Sequence, residues 1–263
     1  MKKVLKIYGI LSILSIFVFL SLGCSKKVEM IRGNTAEEAI NLFNTYNLEN
    51  NVENMVKLYS DEYVKYVGYD LNQIIKVMKK NRKNLNITSS NIKSIEEINE
   101  NLKKAVITIS AVVNNENTTG DYVYAIIKED GGWSVSPDSI IECIGFDVPM
   151  DKKKELNLSL VKEAVQFDGA LIRVNLYNDT NDAYVFGTED EKTSIVVETT
   201  EGTFTSRVEQ PQKIDKKVRN YFIAKIENLK GDIKKVTVTS VFNLDKDGNA
   251  ILDTKRDIVV YNK

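Results

Sequence analysis

The 263-residue chain contains no histidine, and this absence excludes several kinds of active site. Without histidine there can be no Ser-His-Asp triad, no Cys-His nucleophile and no histidine-ligated metal ion. Basic and acidic residues nearly balance, at 36 and 37, so the chain lacks the strong positive charge that is typical of nucleic-acid-binding proteins. We therefore predict no catalytic residues, no metal site, no cofactor and no nucleic-acid partner.

The chain has only two cysteines, Cys24 and Cys143, and Cys24 follows an amino-terminal pattern of a secreted protein. Three lysines in the first six residues precede an uncharged run over residues 7–22. This run is shorter than the ~20 residues that span a bilayer, but its length suits the apolar part of a signal peptide. It ends in Ser21-Leu22-Gly23-Cys24, which resembles the lipobox of bacterial lipoproteins, with Ser21 where that family prefers leucine.

The resemblance to lipoproteins implies a location and an anchor. Residues 1–23 would be the signal peptide, Cys24 would carry a diacylglycerol thioether, and residues 24–33 would form a tether. The partner of the anchor is then the extracytoplasmic face of the cell membrane, since two acyl chains hold a protein there stably. Lysines outnumber arginines 30 to 6, which favours a low-GC Gram-positive bacterium. An uncleaved membrane anchor is the alternative.

If Cys24 is acylated, Cys143 has no disulfide partner within the chain. It lies in the apolar run Ile140-Ile141-Glu142-Cys143-Ile144, where a buried, inert thiol is the default.

The sequence of the first half of the mature chain predicts helices followed by strands. Thr35 and Glu38 have capping-box spacing, Asn51 can cap a second helix, and Asp70 with Gln73 repeats the box. Strands rich in Val, Ile, Thr and Tyr are predicted over 88–99, 104–113, 121–128 and 132–136. This order, closing in the segment from Tyr124 to Val135 with its Asp-Gly-Gly-Trp turn, resembles the nuclear transport factor 2-like fold. The resemblance covers residues 34–147 and implies a cone-shaped α+β domain.

The second half reads as strands alone. Pro149 and the charged run after it indicate a linker over 148–155, and strands separated by short turns are predicted from 156 to 262. The predicted strands cover 156–165, 169–177, 183–187, 193–200, 203–209, 219–227, 233–243, 249–253 and 256–262. The segment 172–182, an apolar strand ending in an Asn/Asp-rich turn, resembles immunoglobulin-like modules, so residues 156–263 are expected to form an immunoglobulin-like β-sandwich.

Tyrosines are the candidate ligand-lining residues. Those of the segment 59–69 follow one another at spacings of four and three, so a continuous helix would place them on one face, and another precedes them. The five are Tyr46, Tyr59, Tyr63, Tyr66 and Tyr69. In a cone-shaped domain they can line a small-molecule cavity, or they can pack the core with their hydroxyl groups at its rim.

Three functions follow as hypotheses. The first is a non-enzymatic envelope lipoprotein that binds a small apolar molecule or an envelope protein. The second is an enzyme of the isomerase or hydratase type, in which Asp61 or Glu62 acts with a tyrosine, because related isomerases pair a carboxylate base with a tyrosine. The third is a purely structural or adhesive surface protein.

Two charged segments are interpreted as structural and not as binding sites. The basic segment 76–83 is interpreted as a solvated helix end that complements the helix dipole. Residues 245–249 are interpreted as a hairpin turn, because the ligand spacing of a calcium loop is absent.

Overall fold

The computed structural model describes residues 29–148 and 156–263. The predicted signal peptide, the lipidation site Cys24, the first half of the tether 24–33 and most of the linker 148–155 lie outside the described residues. Among the residues described, no helix combines the length and the apolarity needed to cross a membrane.

Four short α-helices open the described chain, and local signals set where they begin. They are α1 (Ala36–Leu48), α2 (Val52–Lys57), α3 (Asp61–Val67) and α4 (Leu71–Asn81). The predicted caps are confirmed: Thr35 Oγ1 accepts from the Glu38 N–H at 3.1 Å, Asn51 caps α2, and Asp70 forms a complete capping box. Ser60 was not predicted as a cap, but it caps α3, so this helix begins anew after Ser60.

The helices pack on one face of an antiparallel sheet. Its strands, in spatial as well as chain order, are β1 (Leu85–Asn99), β2 (Leu102–Val113), β3 (Glu116–Glu129) and β4 (Gly132–Ser136). Alternate residues of β2 and β3 point toward the helices and pack against Ile40, Phe43 and Val56. We call α1–α4 and β1–β4 the helix–sheet unit.

The rest of the described chain forms two further antiparallel sheets. The strands are β5 (Ile140–Gly145), β6 (Leu156–Gln166), β7 (Gly169–Asn178), β8 (Tyr184–Phe186), β9 (Ser194–Thr199), β10 (Thr203–Arg207), β11 (Gln212–Ile214), β12 (Val218–Glu227), β13 (Ile233–Leu244) and β14 (Ala250–Asn262). One sheet has the order β12-β7-β6-β5; the other has the order β10-β9-β13-β8-β11, with β14 paired to β13. We call β5–β14 the two-sheet unit.

The two sheets of this unit share one apolar core. Leu160, Ile172 and Ile226 from the first sheet meet Ile195 and Val238 from the second, and all five side chains are buried. This packing is compatible with the predicted β-sandwich, and the predicted mixed α+β class is confirmed. Burial of such side chains is the main favourable contribution to folding.

One strand prediction for the two-sheet unit is corrected, and two of its strands were not predicted. The run around Cys143, predicted only as an apolar segment, is β5. Residues 249–253 and 256–262 belong to the single strand β14, whose pairing with β13 shifts register between Val241 and Val238. Residues 212–214 form β11, which pairs with β8 over only three residues and is too short to give a periodic signal.

The helix α3 joins the helix–sheet unit to the two-sheet unit. Its residue Tyr66 packs with Ile140, Cys143 and Ala164 of β5 and β6. Glu62 accepts a hydrogen bond from the Cys143 backbone N–H at 2.5 Å, and Lys162 donates to the Lys65 and Tyr66 carbonyls at the end of α3. Both apolar and polar contacts therefore connect the units, while the predicted domain boundaries stay a prediction.

Candidate functional site

The five candidate tyrosines do not share one helical face. Tyr59 precedes α3 and is held by Val135 of β4, because Val135 donates to the Leu58 carbonyl and accepts from the Ser60 N–H. Tyr63 and Tyr66 lie on α3, and Tyr69 follows that helix.

The five candidate tyrosines also differ in how deeply they are buried. Tyr59 is 2% exposed and Tyr66 is 6% exposed, whereas Tyr63 is half-buried. Tyr46 and Tyr69 are half-buried at the edge of the helix–sheet core. In the described part of the chain no ring contact joins Tyr46 or Tyr69 to the other three.

A further tyrosine joins the buried group from the sheet. Tyr124 of β3 points toward the helices, and its ring lies 5.1 Å from that of Phe43. The Phe43 ring is 6.2 Å from that of Tyr59, which is 5.0 Å from that of Tyr63. The sequence predicts Tyr124 only as a residue of a strand. The signal that could have found it is strand alternation, which places Tyr122 and Tyr124 on the same face of the sheet as Ile126.

One carboxyl group lies within electrostatic reach of four tyrosines. Asp138 stands in the short 3-10 turn Pro137–Ser139 between β4 and β5, with φ 55° and ψ 21°. Its negative charge contributes to raising the pKa of each of the four phenols, those of Tyr59, Tyr63, Tyr66 and Tyr124. We call these four tyrosines and Asp138 the tyrosine–aspartate cluster.

Asp138 is both accessible and desolvated. The residue is exposed to solvent, yet the surrounding protein raises the pKa of its carboxyl group above the ordinary range by desolvation. In the described chain no hydrogen bond or ion pair satisfies its carboxylate, and Gln166 donates only to its backbone carbonyl, at 2.5 Å.

The hydroxyl groups of the cluster are also without partners among the described residues. The Tyr66 hydroxyl is fully buried and makes no hydrogen bond. The hydroxyls of Tyr59, Tyr63 and Tyr124 make no hydrogen bond to a described residue either, but unlike that of Tyr66 they are not fully buried. Desolvation is the main reason that the pKa of each phenol is raised, so all four stay protonated and can donate. Each of the four phenols is therefore a hydrogen-bond donor without an acceptor among the described residues.

A buried arginine borders the cluster. Arg82 ends α4 and is 7% exposed, and its guanidinium donates to the side-chain and backbone oxygens of Asn47. Its positive charge opposes the increase in the pKa of Tyr59 and Tyr124. The interpretation of residues 76–83 as a wholly solvated basic segment is therefore wrong for Arg82, whose neighbours across the core could not be read from helix periodicity.

Neither carboxylate of the enzyme hypothesis belongs to the cluster. The Asp61 side chain is 71% exposed and pairs with Arg32 at 3.0 Å. Glu62 is engaged by the Cys143 N–H and by Lys65 at 3.6 Å. Asp138 is the carboxyl group that acts on the buried tyrosines.

At the other candidate sites the polar groups are unreactive or already hydrogen-bonded. Cys143 is buried, and desolvation raises the pKa of its thiol, which leaves it protonated. The Asp245 carboxylate accepts from the backbone N–H groups of Asp247 and Asn249 within the turn between β13 and β14. The described chain holds no group of three cysteine, aspartate or glutamate side chains that is suited to a metal ion.

A cavity of about 330 Å³ opens between β10 and β12 of the two-sheet unit. Phe186, Ile195 and Phe222 line its apolar side, and Arg207 and Lys225 lie among its polar residues. Lys225 is already paired, with Asp168 at 2.6 Å.

No family model matches the chain, and no curated protein matches it significantly.

Proposed function

We propose that this protein is a non-enzymatic ligand-binding lipoprotein, held by Cys24 at the extracytoplasmic face of the membrane. Its ligand is a small, partly apolar molecule that binds at the tyrosine–aspartate cluster. The observation that carries this proposal is the group of four tyrosine hydroxyls and one carboxyl group without hydrogen-bond partners inside the described chain. Of these groups the Tyr66 hydroxyl is fully buried. Buried polar groups are normally satisfied, and a ligand is one way to satisfy this one.

The composition of the cluster fits recognition of a small molecule. Tyrosine rings supply apolar surface for stacking, while their hydroxyls supply directional donors at low cost in conformational entropy. Rigid elements hold these groups: Tyr59 is fixed by β4, Tyr63 and Tyr66 by α3, and Tyr124 by β3. Binding sites of this kind combine an apolar lining with a few convergent polar groups.

The fold gives each part a role in the proposal. Helices packed on one antiparallel sheet suit the nuclear transport factor 2-like cone, whose interior would be the binding site. The two-sheet unit would be the immunoglobulin-like module that holds this site away from the membrane or contacts an envelope protein. A fold of this kind hosts many activities, so the cluster and not the fold carries the functional argument.

Native mass spectrometry of purified residues 28–263 tests the ligand proposal. We expect a retained species of defined mass, reduced at least tenfold in occupancy by Tyr63→Phe or Asp138→Asn, because each removes a group that contacts the ligand. Asparagine tolerates the left-handed backbone at position 138, so Asp138→Asn keeps the turn. Tyr261→Phe, which changes a tyrosine of the two-sheet unit, is the control. Retention that is equal in all four proteins would contradict the proposal.

The anchor is tested by replacing each cysteine in turn. Cys24→Ala should abolish fatty-acid labelling and leave unprocessed precursor. Cys143→Ala should leave the labelling unchanged, since this buried thiol is not at the predicted lipobox. Metabolic labelling with a fatty acid, followed by electrophoresis, measures both. Labelling that survives Cys24→Ala would disprove the lipoprotein.

One observation favours an isomerase-type activity as a second candidate. An accessible carboxyl group with a raised pKa beside tyrosine hydroxyls is the pairing used for proton transfer next to a carbonyl group. In that case Asp138 would take the proton, and a tyrosine hydroxyl would donate to the enolate oxygen. Asp138→Asn would then abolish turnover of the retained molecule but leave its binding nearly unchanged. The binding proposal expects no turnover by the wild-type protein.

A further inference from the structure

The strand β12 has a free edge. Among the described residues it pairs with β7 alone, because β12 ends the sheet of order β12-β7-β6-β5. With ten residues, β12 is long for an edge strand. An edge of this kind presents unpaired backbone N–H and C=O groups, and another strand can add to it.

The odd-numbered residues of β12 present their backbone groups to the free edge. The N–H of Asn228, just after the strand, donates to the Asp168 carbonyl at 2.8 Å, on the β7 side. The N–H of Tyr221 instead donates to the side chain of its neighbour Asn220, also at 2.8 Å. Because successive N–H groups of a strand point to opposite sides, that of Ile223 points away from β7 as well.

The sequence of β12 is complementary to itself about Ile223. Arg219 lies four residues before Ile223 and Glu227 lies four residues after it. Arg219 and Glu227 are exposed, and neither forms an ion pair within the described chain. Ile223 is 42% exposed, which is unusual for a large apolar side chain in a strand. When two β12 strands pair antiparallel with Ile223 opposite Ile223, Arg219 of each copy therefore faces Glu227 of the other.

The guanidinium of Arg219 is held in place for such a contact. It lies over the ring of Tyr177 on β7, 4.3 Å from the ring centroid, and donates to the Tyr177 hydroxyl. Arginine has five N–H donors, so others remain for a carboxylate. A side chain that is already ordered loses less conformational entropy when it forms an ion pair.

The inward face of β12 has room beside it for the second strand. Ala224 is the small residue between Phe222 and Ile226 on this face, and it lines the cavity of about 330 Å³ between β10 and β12. Ser206, the residue of β10 that lines the same cavity, is small too. In the register with Ile223 opposite Ile223, Ala224 faces Phe222 of the second copy, so an aromatic ring lies at the mouth of the cavity.

We infer that the protein forms a dimer with a second copy of itself, by antiparallel pairing of the two β12 strands with Ile223 opposite Ile223. The pairing joins two four-stranded sheets across a twofold axis, so each contact occurs twice. The Tyr221 N–H exchanges its bond to Asn220 for the Lys225 carbonyl of the second copy. This interface belongs to the two-sheet unit and does not depend on the proposed ligand.

Sedimentation equilibrium of purified residues 28–263, from micromolar to millimolar concentration, tests the dimer. We expect a reversible dimer of the wild-type protein with a Kd in the micromolar range, because the interface is a single strand edge. Arg219→Glu and Glu227→Arg should each weaken the dimer about tenfold, since each places like charges opposite one another at two points. Lys246→Glu, which alters the charge of an exposed turn, is the control and should leave the Kd unchanged.

Combining the two charge reversals tests the register. An equal mixture of Arg219→Glu and Glu227→Arg should give a mixed dimer with the wild-type Kd, because each carboxylate again faces a guanidinium. The double variant Arg219→Glu/Glu227→Arg should recover the same Kd in a single protein. This recovery separates the ion pairs from any effect of one substitution on folding. A monomer at all concentrations, or a dimer whose Kd ignores the single reversals, would overturn the inference.

Cross-linking locates the twofold axis. In Ile223→Cys the two new thiols should lie side by side, and a short bismaleimide should join them within a dimer. Val259→Cys, at a position 44% exposed on β14, should remain largely monomeric under the same conditions. The native Cys143 is buried in both proteins. Cross-linking of Val259→Cys that equals or exceeds that of Ile223→Cys would show that the copies meet elsewhere.

Discussion

Ile195→Ala, a change in the two-sheet unit, should lower the free energy of unfolding by about 2–5 kcal/mol. The fluorescence of Trp133, which lies in the helix–sheet unit, should report this loss. Ile195 is buried in the core of the two-sheet unit, and its replacement leaves a cavity there. Trp133 is the only tryptophan of the chain and lies in the core of the helix–sheet unit. If the unfolding transition followed by Trp133 fluorescence moves to lower denaturant in Ile195→Ala, the two units unfold together.

The reason is the contact between α3 and the first sheet of the two-sheet unit. Ile140, Cys143 and Ala164 form an apolar cluster with Tyr66, so unfolding of either unit exposes this surface. Lys162 and Arg173 also donate to the last carbonyls of α3, which would otherwise be unsatisfied.

Urea denaturation followed by Trp133 fluorescence and by far-ultraviolet circular dichroism makes this measurement. The two midpoints should coincide in the wild-type protein and should move together in Ile195→Ala. Leu252→Ala is the control, since Leu252 is 69% exposed on β14 and should change stability by less than about 0.5 kcal/mol. A Trp133 midpoint that stays in place while the circular dichroism midpoint falls would show two independent domains.

Glu163→Gln should stabilise the protein at pH 8 and have little effect at pH 4. Glu163 is buried on β6, and desolvation, together with the charges of Glu142 and Asp232, raises its pKa to about 7 from an ordinary 4.5. The folded state therefore holds this proton between about pH 4.5 and 7, where the unfolded chain has already released it. Stability falls as the pH rises through this window and is level above it.

The expected gain of Glu163→Gln at pH 8 is about 2 kcal/mol, after allowance for solvent that still reaches the carboxylate. Thermal unfolding at a series of pH values between 4 and 8 measures it. Glu227→Gln, on the exposed face of β12, should follow the wild-type curve. If the Glu163→Gln and wild-type curves ran parallel from pH 4 to 8, Glu163 would not carry the raised pKa.

The sequence predicted the parts of the fold that are decided within a few residues. A helix begins where a side chain can accept the first free N–H groups, so Thr35, Asn51 and Asp70 were found from spacing alone. Most strands of both units were also found, because β-branched runs between turn residues are local signals. The errors came where the local signal was short or broken, as in β11 and β14.

The residues of the proposed site were predicted only in part, and their role stays a prediction. Tyr59, Tyr63 and Tyr66 were candidates because they cluster along the chain. Tyr124 was missed, since it reaches the same cluster from the sheet, more than fifty residues later. The anchor at Cys24 lies outside the described residues and stays a prediction.

The tertiary structure alone decided the charges of the site. Asp138 stands in a turn between two sheets, and no spacing rule connects it to the tyrosines of α3. Arg82 looks like one more surface cation of a basic helix end until α1 and α2 close over it. The physical reason is that a residue's pKa and its lack of partners depend on which distant segments surround it. Caps and turns depend on neighbours in the chain, and so the sequence by itself determined them.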